Sequence, residues 1–231
     1  MKRFILFFTL VFCALCLFTA AACADKEPAP AWAASIGEET GGDQVALVAG
    51  LEGSEGLFCF EERDAQGTWR ILVSCPAVIG KNGLGKTQVG DKKTPQGVFT
   101  LDCAFGIEKD PGCALPYHQV TEYDYWSGDQ YCHYNRMVDI REYPNLNTAA
   151  CEHLSSMGAV YNYCLNIGYN AEGVPDAGAA LFLHCLNPDK DYTAGCVAIP
   201  EEDMIEVLRH IRENCVIVID TPEKLTGFSA E

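Results

Sequence analysis

The sequence predicts a mostly β fold with two flanking helices. Short apolar runs bounded by Gly, Asn and Pro dominate from Gln44 onward, and such runs are typical of β-strands. Two longer stretches have helical spacing instead. The 231-residue chain shows no internal repeat and no linker that would divide the part after Gln44, so we expect one domain with a substantial core.

Residues 1–24 have the layout of a secretory signal peptide. Lys2 and Arg3 precede an apolar stretch from Phe4 to Phe18, and a cluster of small residues ends at Ala24. The apolar stretch is shorter than the roughly 20 residues that a membrane-spanning helix needs. Cleavage after Ala24 would release the protein, whereas a lipoprotein-type signal would leave a lipidated Cys23 as a membrane tether. Both alternatives stay open, and both predict an exported protein of the cell envelope.

Residues 25–43 predict a flexible linker between this signal and the folded domain. They are rich in Ala, Gly, Pro and acids and lack helical or strand periodicity. The domain itself is expected over residues 44–220, and residues 221–231 are expected to form a C-terminal tail.

The charge of the chain limits its partners. Removal of the signal takes away two positive charges, Lys2 and Arg3, and changes the formal net charge from −16 to −18. Nucleic-acid binding draws on clustered Lys and Arg, and the sequence holds no such cluster. We therefore expect no nucleic-acid partner, and we take the excess of acids to keep an exported monomer soluble.

Individual elements follow from these patterns. Strands are predicted at Val45 to Ala49, Leu57 to Phe60, Trp69 to Ser74, Gly97 to Leu101, Met137 to Ile140, Val160 to Ile167, Ala180 to His184 and Val216 to Ile219. Gly67 predicts a hairpin turn between two of them. Helices are predicted at Asn147 to Met157 and at Pro200 to Asn214. The second carries Met204, Val207, Leu208 and Ile211 on one face and acids in its first turn.

Ten of the 13 cysteines lie in the predicted domain, and in an exported protein that number predicts disulfides. One sequence does not reveal the pairing. Cys103 with Cys113 is favoured because the short loop between them could close locally. The domain contains no Cys-x-x-Cys pair, and its other histidines are scattered at His118, His133, His153 and His210. We therefore expect no metal site and no cofactor.

Cys196 lies in a setting that suits catalysis. It directly follows Gly195. His184, which comes twelve residues earlier, lies at the end of an apolar predicted strand. An imidazole within hydrogen-bond reach lowers the pKa of a thiol and removes its proton. A preceding glycine lets backbone N–H groups approach a substrate carbonyl. On chemistry alone, however, a structural cysteine beside a buried histidine is the commoner explanation of this spacing.

Longer motifs favour a catalytic role for Cys196 instead. The run Leu181 to Cys185, followed by Thr193 to Val197, resembles the active-site signature of the L,D-transpeptidase catalytic domain, also called the YkuD-like domain. Further similar segments are Gly80 to Gly83, Gly90 to Phe99, Tyr134-Asn135 and Tyr169-Asn170. The resemblance spans roughly Gln44 to Asp220.

The resemblance implies a β-sandwich and an acyl transfer between peptidoglycan stem peptides. In the family, a cysteine attacks the peptide bond after the third residue of a tetrapeptide stem, releases D-alanine and passes the acyl group to the side-chain amine of a second stem. Cys196 would be the nucleophile and His184 the general base. The carbonyl of Cys185 would orient the imidazole. The N–H groups of Gly195 and Cys196 would stabilise the oxyanion. Thr193 occupies a position where the family has Ser or Thr and would contact the substrate.

Other residues are weaker candidates for the substrate groove. Tyr134 and Arg136 could line it, Arg136 through a paired contact to a carboxylate. The segment Lys92 to Pro95 could bind a carboxylate, but a turn before the next strand is favoured. Many family members have a second histidine where this chain has Ala194, so any contribution of that imidazole to substrate binding must come from another residue or be absent.

Two alternatives to the transpeptidase remain. An L,D-carboxypeptidase would use the same cysteine and histidine but transfer the acyl group to water. A catalytically silent wall-binding module would instead have all of its cysteines paired.

Overall fold

The computed structural model describes residues 26–227. The predicted signal peptide, with Cys23, lies outside the described residues, as do the last four residues of the predicted tail. Within 26–227, no helix is both long and apolar enough to cross a membrane.

The described part of the chain is mostly β, as predicted. Its strands are β1 (Gln44–Gly50), β2 (Glu55–Arg63), β3 (Trp69–Val78), β4 (Gly97–Gly106), β5 (Tyr117–Gln119), β6 (Asp124–Trp126), β7 (Met137–Asp139), β8 (Glu152–His153), β9 (Cys164–Ile167), β10 (Phe182–Cys185), β11 (Val197–Ile199) and β12 (Val216–Asp220). Its α-helices are α1 (Ala31–Thr40), α2 (Glu201–His210) and α3 (Pro222–Thr226). Every predicted strand run overlaps an observed strand, and Gly67 lies in the turn between β2 and β3, with φ of 81°.

The main sheet closes on itself. Its strand order is β12-β1-β2-β3-β11-β10-β9-β4-β5, and β12 also pairs with β4. Eight strands therefore form a closed sheet, to which β5 is added beside β4. Closure removes the open edges that a sheet of this size would otherwise present. Strands β6, β7 and β8 form a separate small sheet.

An aromatic cluster fills the main core beneath β10. Phe105 and Phe182 are fully buried, and their rings meet edge to face with centroids 5.1 Å apart. Trp126 packs against Phe182 in the same way at 4.7 Å. Such edge-to-face contacts favour one arrangement of the rings, so the strand that carries His184 rests on a rigid support.

Helix α2 confirms the helix predicted from Pro200 to Asn214, but it is shorter than predicted. Met204, Val207 and Leu208 are fully buried, and the helix packs against β3 and β10. Its first turn holds three acids, which complement the positive end of the helix dipole. The helix ends at His210 because Ile211 adopts extended backbone, although its side chain stays buried in the core.

The predicted helix from Asn147 to Met157 is wrong. This segment forms 3₁₀ turns at Thr148–Ala150 and Leu154–Ser156, separated by strand β8. Glu152 pairs with Trp126 of β6, and the Ser156 hydroxyl donates to the backbone carbonyl of His153. Strand pairing and local side-chain hydrogen bonds therefore replace the helical ladder here.

The predicted flexible linker is also wrong, because α1 forms within it. Ala33 and Ile36 of α1 are fully buried, and the indole N–H of Trp69 donates to Glu38 at 2.9 Å. The Trp69 ring lies so close that a side chain at Gly37 would begin 2.4 Å from it. Packing against the closed sheet therefore orders a segment whose composition alone predicts flexibility.

The ten described cysteines are all free thiols, so the predicted disulfides are not confirmed. Cys103 is exposed and Cys113 is partly buried, and no bond joins them.

Glu61 is fully buried on β2. The Cys59 thiol donates to its Oε1 at 3.4 Å, while its Oε2 lacks a hydrogen-bond partner among the described residues. Burial raises the pKa of the Glu61 carboxyl to about 7, and the Cys59 hydrogen bond opposes that rise only in part. Because the folded state holds this proton more tightly than the unfolded chain, folding is favoured at acid pH.

Replacement Glu61→Gln should flatten the pH dependence of stability. In the native sequence, the free energy of unfolding should fall as pH rises from about 4.5 to about 7, by up to about 3 kcal/mol, and stay level above that range. Urea denaturation at pH 5 and pH 8 measures the difference. The exposed residue Glu55 gives a matched control, since Glu55→Gln should leave the profile unchanged. Equal profiles for Glu61→Gln and the native chain would contradict the prediction.

Candidate active site

The parallel pairing of β10 and β11 brings His184 and Cys196 together. His184 stands opposite Ala198, and Leu183 stands opposite Val197. Continued by one residue, this register puts Cys196 beside Phe182, whose N–H donates to the Cys196 sulfur at 3.4 Å. The two side chains therefore lie two positions apart on neighbouring strands, although twelve residues separate them in the chain.

Both side chains line one cavity of about 410 Å³. The loop between β10 and β11 forms one wall, the segment from Glu152 to Tyr161 forms another, and the loop before β4 contributes Lys86 and Lys92. Met157, Val160 and Leu181 add apolar surface. A cavity with apolar walls and a few polar groups is the usual form of a small-ligand site.

His184 is oriented as the sequence predicted. Its Nδ1–H donates to the backbone carbonyl of Cys185 at 2.8 Å, since a carbonyl can only accept. Burial lowers the pKa of the imidazole to about 4, and the bond to the Cys185 carbonyl offsets only part of that shift. The imidazole is therefore neutral at pH 7, and its Nε2 carries the lone pair that accepts a proton.

The Cys196 thiol is neutral as well. It is 7% exposed, and its sulfur donates to the Ala180 carbonyl at 3.3 Å. Burial and, to a lesser extent, nearby Glu152 raise the pKa of the thiol, while the Phe182 N–H and Lys86 lower it, and the net result is a pKa of about 12. Within the described residues, no hydrogen bond joins this sulfur to His184. The expectation that the imidazole lowers the thiol pKa is therefore wrong for the resting geometry.

Gly195 has a conformational role rather than the predicted role in oxyanion binding. Its φ of 142° is unfavourable for other residues, and a side chain there would begin 2.8 Å from the Lys93 carbonyl oxygen. Its N–H already donates to the Thr193 hydroxyl at 3.0 Å. The Cys196 N–H makes no hydrogen bond within the described residues, so it remains as the candidate donor to an oxyanion.

Two threonine hydroxyls hold in place the loop from Thr193 to Cys196, here called the nucleophile loop because it carries the candidate nucleophile. Thr193 Oγ1 accepts the Gly195 N–H and donates to the Cys196 carbonyl at 2.7 Å. Thr94 Oγ1 accepts the Gly80 N–H at 2.8 Å and donates to the Gly195 carbonyl at 2.9 Å. The Thr193 hydroxyl is thus committed to the loop, which differs from the predicted contact with substrate. Thr94 lies in the predicted turn before β4, but its contact with the loop was not foreseen.

Tyr134 and Arg136 do not line the cavity. The guanidinium of Arg136 donates to the backbone carbonyls of Asn135, at 3.0 Å, and of Ala171. Tyr134 is buried with 8% of its surface exposed. Their positions give no support to the predicted contacts with substrate, because Arg136 instead fixes one loop to another.

Lys86 is a residue of the site that sequence reasoning missed. Its side chain is 3% exposed and its ammonium lies 3.0 Å from an oxygen of Asp91. A side chain at Gly178 would begin 2.6 Å from Lys86 Cε, and one at Gly195 would begin 3.6 Å from its Nζ. Both glycines therefore leave room for a buried cation that passes next to the nucleophile loop.

Asp91 keeps that cation in place. Burial alone would raise the pKa of its carboxyl, but N–H groups of Thr87, Lys93 and Gln88, together with Lys86, lower it to about 2. Asp91 is therefore charged throughout the neutral range. This pairing offsets part of the cost of burying the Lys86 charge near Cys196.

Among the described residues, no three or more His, Cys, Asp and Glu side chains are grouped so that they could hold a metal ion.

Comparisons with known proteins agree with the motifs. A family model described as the L,D-transpeptidase catalytic domain, YkuD, matches residues 57–219. No curated protein matches the chain. The chain is similar to the crystal structure of the helical cell shape determining protein Pgp2 from Campylobacter jejuni, with 16% identity, a TM-score of 0.41, and coverage of 82% of this chain and 54% of that chain. The crystal structure of a mutant of Pgp2 is similar as well, with 15% identity, a TM-score of 0.40, and coverage of 82% of this chain and 53% of that chain. The chain spans about half the length of these structures.

Replacement Lys86→Met should slow the alkylation of Cys196. In the native protein, the rate should rise steeply above pH 9, because the thiol titrates near 12. Lys86 lowers the pKa of the thiol, so loss of its charge should reduce the thiolate fraction and the alkylation rate, by roughly threefold. Mass spectrometry of iodoacetamide-treated protein at several pH values measures the rate at this one residue.

Lys190 offers a matched control, since it lines the same cavity but is exposed to solvent. Solvent screens exposed charges, so Lys190→Met should change the alkylation profile less than Lys86→Met does. Equal effects of the two variants would show that Lys86 has no special influence on the thiol.

Proposed function

Because the chain belongs to the L,D-transpeptidase catalytic domain family, we propose that it is a peptidoglycan L,D-transpeptidase with Cys196 as nucleophile and His184 as general base. One observation carries the proposal: a free thiol and a neutral imidazole, oriented through Nδ1, line the same cavity. The free thiol at Cys196 also speaks against a silent module with all of its cysteines paired.

Acylation begins with a neutral pair. The Cys196 thiol leaves the Ala180 carbonyl and turns to the Nε2 of His184, which takes its proton as sulfur attacks the donor carbonyl. The Cys196 N–H stabilises the oxyanion of the tetrahedral intermediate. The protonated imidazole then gives its proton to the leaving D-alanine nitrogen, the C–N bond breaks, and a thioester remains on Cys196.

The second half of the reaction reverses these roles. The side-chain amine of an acceptor stem attacks the thioester, and His184 takes a proton from the attacking nitrogen as the C–S bond breaks. The proton then returns to the Cys196 sulfur, which restores the resting pair. Thr94 and Thr193 keep the loop fixed throughout, so the Cys196 N–H keeps its position toward the reacting carbonyl.

Lys86 compensates in part for the missing second histidine. Ala194 supplies no imidazole, whereas the Lys86 ammonium lies beside Gly195 and lowers the energy of negative charge at Cys196. A buried cation is screened less than an exposed one, so its influence reaches the reacting sulfur.

The proposed place of action is the cell envelope. We propose that residues 44–220 form the catalytic domain and that the segment before it directs export, with a released or Cys23-tethered protein as the two forms. Pgp2 is described as a determinant of helical cell shape. A peptidoglycan transpeptidase changes wall cross-links, so we extend a contribution to cell shape to this protein as part of the proposal.

Incubation with tetrapeptide-bearing muropeptides should give cross-linked dimers with loss of D-alanine, detected by mass spectrometry. Cys196→Ala should abolish product formation, because no other group supplies the thioester. The exposed residue Cys103 gives a control, since Cys103→Ala should retain activity. Tripeptide monomers alone would identify an L,D-carboxypeptidase, and no product from the native protein would contradict both enzymatic functions.

The pH dependence of kcat/KM should show that His184 is neutral at pH 7. A general base must be unprotonated, and burial lowers the pKa of His184 to about 4, so kcat/KM should decline only well below pH 6.5 on the acid side. His184→Ala should lower the rate by about 10² or more at neutral pH. Stopped assays between pH 4 and pH 8 measure both. An acid limb centred near pH 6.5, or preserved activity in the variant, would assign the base to another residue.

A further inference from the structure

Glu152 places a carboxylate in the wall of the candidate active-site cavity, on a different segment from the lysines that line it. It lies on β8, where it pairs with Trp126. Its Oε2 accepts the Tyr161 hydroxyl at 2.6 Å, and the Tyr161 ring lies 5.6 Å from the imidazole of His184. No salt bridge within the described residues involves Glu152. Of the described residues that line the cavity, it is the only acid.

This carboxylate is unfavourable for the empty site. Burial raises its pKa, which means that its charge is poorly solvated. It also raises the pKa of the Cys196 thiol and so opposes formation of the nucleophile. A group needed only to hold the Tyr161 hydroxyl would not require a charge, because a glutamine oxygen accepts the same hydrogen bond. A role for the negative charge must therefore involve a cation that enters the cavity.

We propose that Glu152 binds the primary ammonium group of the acceptor stem peptide. This inference rests on the proposed transpeptidase function and names the subsite of its second substrate. Three features fit an amine at the end of an alkyl chain: the single carboxylate, the apolar surface of Met157 and Val160 near it in sequence, and the size of the cavity. Lys86 and Lys92 come from a different loop, so the positive and negative groups of the cavity lie on separate segments.

Occupancy of this subsite has a chemical consequence for the reaction. An ammonium gives one proton to the Glu152 carboxylate, which leaves a neutral amine able to attack the thioester. The attacking nitrogen gives its second proton to His184 while the C–N bond forms and the C–S bond breaks. Neutralised Glu152 no longer destabilises the departing Cys196 thiolate, so a bound amine makes sulfur a better leaving group.

Binding is tested without turnover by alkylation of Cys196. The probes are N-acetylcadaverine, a primary alkylammonium, and its neutral N,N′-diacetyl counterpart. The ammonium should change the alkylation rate saturably by at least about twofold, the neutral compound should not, and Glu152→Gln should abolish the response. The exposed Glu202 on α2 provides the matched control, since Glu202→Gln should retain the response. No response in the native protein, or an equal response in Glu152→Gln, would overturn the inference.

Turnover provides the second arm. With muropeptide donors, Glu152→Gln should raise the KM for an acceptor amine about tenfold or more, a larger loss than it causes in transfer to water. If the native protein forms dimers but the alkylation test fails, the transpeptidase function is supported and the Glu152 subsite is contradicted. If the ammonium gives a saturable response but no dimers form, the Glu152 subsite is supported and the transpeptidase function is contradicted. Equal losses of transfer and hydrolysis in a folded Glu152→Gln variant would contradict the subsite.

Discussion

The parallel pairing of β10 with β11 is the constraint on which the rest of the site depends. It places Cys196 beside Phe182 at the start of β10, the strand that also carries His184. The loop between β10 and β11 therefore returns over the cavity. The hydroxyls of Thr94 and Thr193 then fix the last turn of that loop. Sheet closure through β12 and β4 and the aromatic cluster at Phe182 keep β10 itself in place. Chemistry at Cys196 thus rests on strand register rather than on a direct bond between the two side chains.

Desolvation governs the electrostatics of this cavity. The same burial that keeps His184 neutral makes the thiolate of Cys196 unfavourable, so an ion pair is absent from the resting state. Lys86 and Glu152 then act on the sulfur in opposite directions, one favouring and one opposing its negative charge. A buried thiol that stays protonated is also less exposed to oxidation, since oxidants attack the thiolate.

Sequence patterns predicted the elements whose signal is local. Apolar runs located the long strands, and Met204, Val207 and Leu208 located α2, because burial of one face imposes its own period. Helix α1 was missed because Ala33 and Ile36 gain their burial from residues distant in the chain, among them Trp69 and Leu225. The pair His184 and Cys196 was recognised from motif order. Lys86 and the hydroxyl bonds of Thr94 could not be, since they join loops about 100 residues apart and leave no periodic trace.

The position of β12 in the sheet has a consequence for how the chain folds. This strand lies between β1 and β4, so residues 216–220 supply the missing pairing partner of both strands. Until that strand emerges, β1 lacks its parallel partner and the sheet stays open, with pairings that span more than 160 residues still unmade. Such non-local contacts make folding slow. A chain made from its N-terminus onward therefore cannot close this sheet until its last strand has been synthesised.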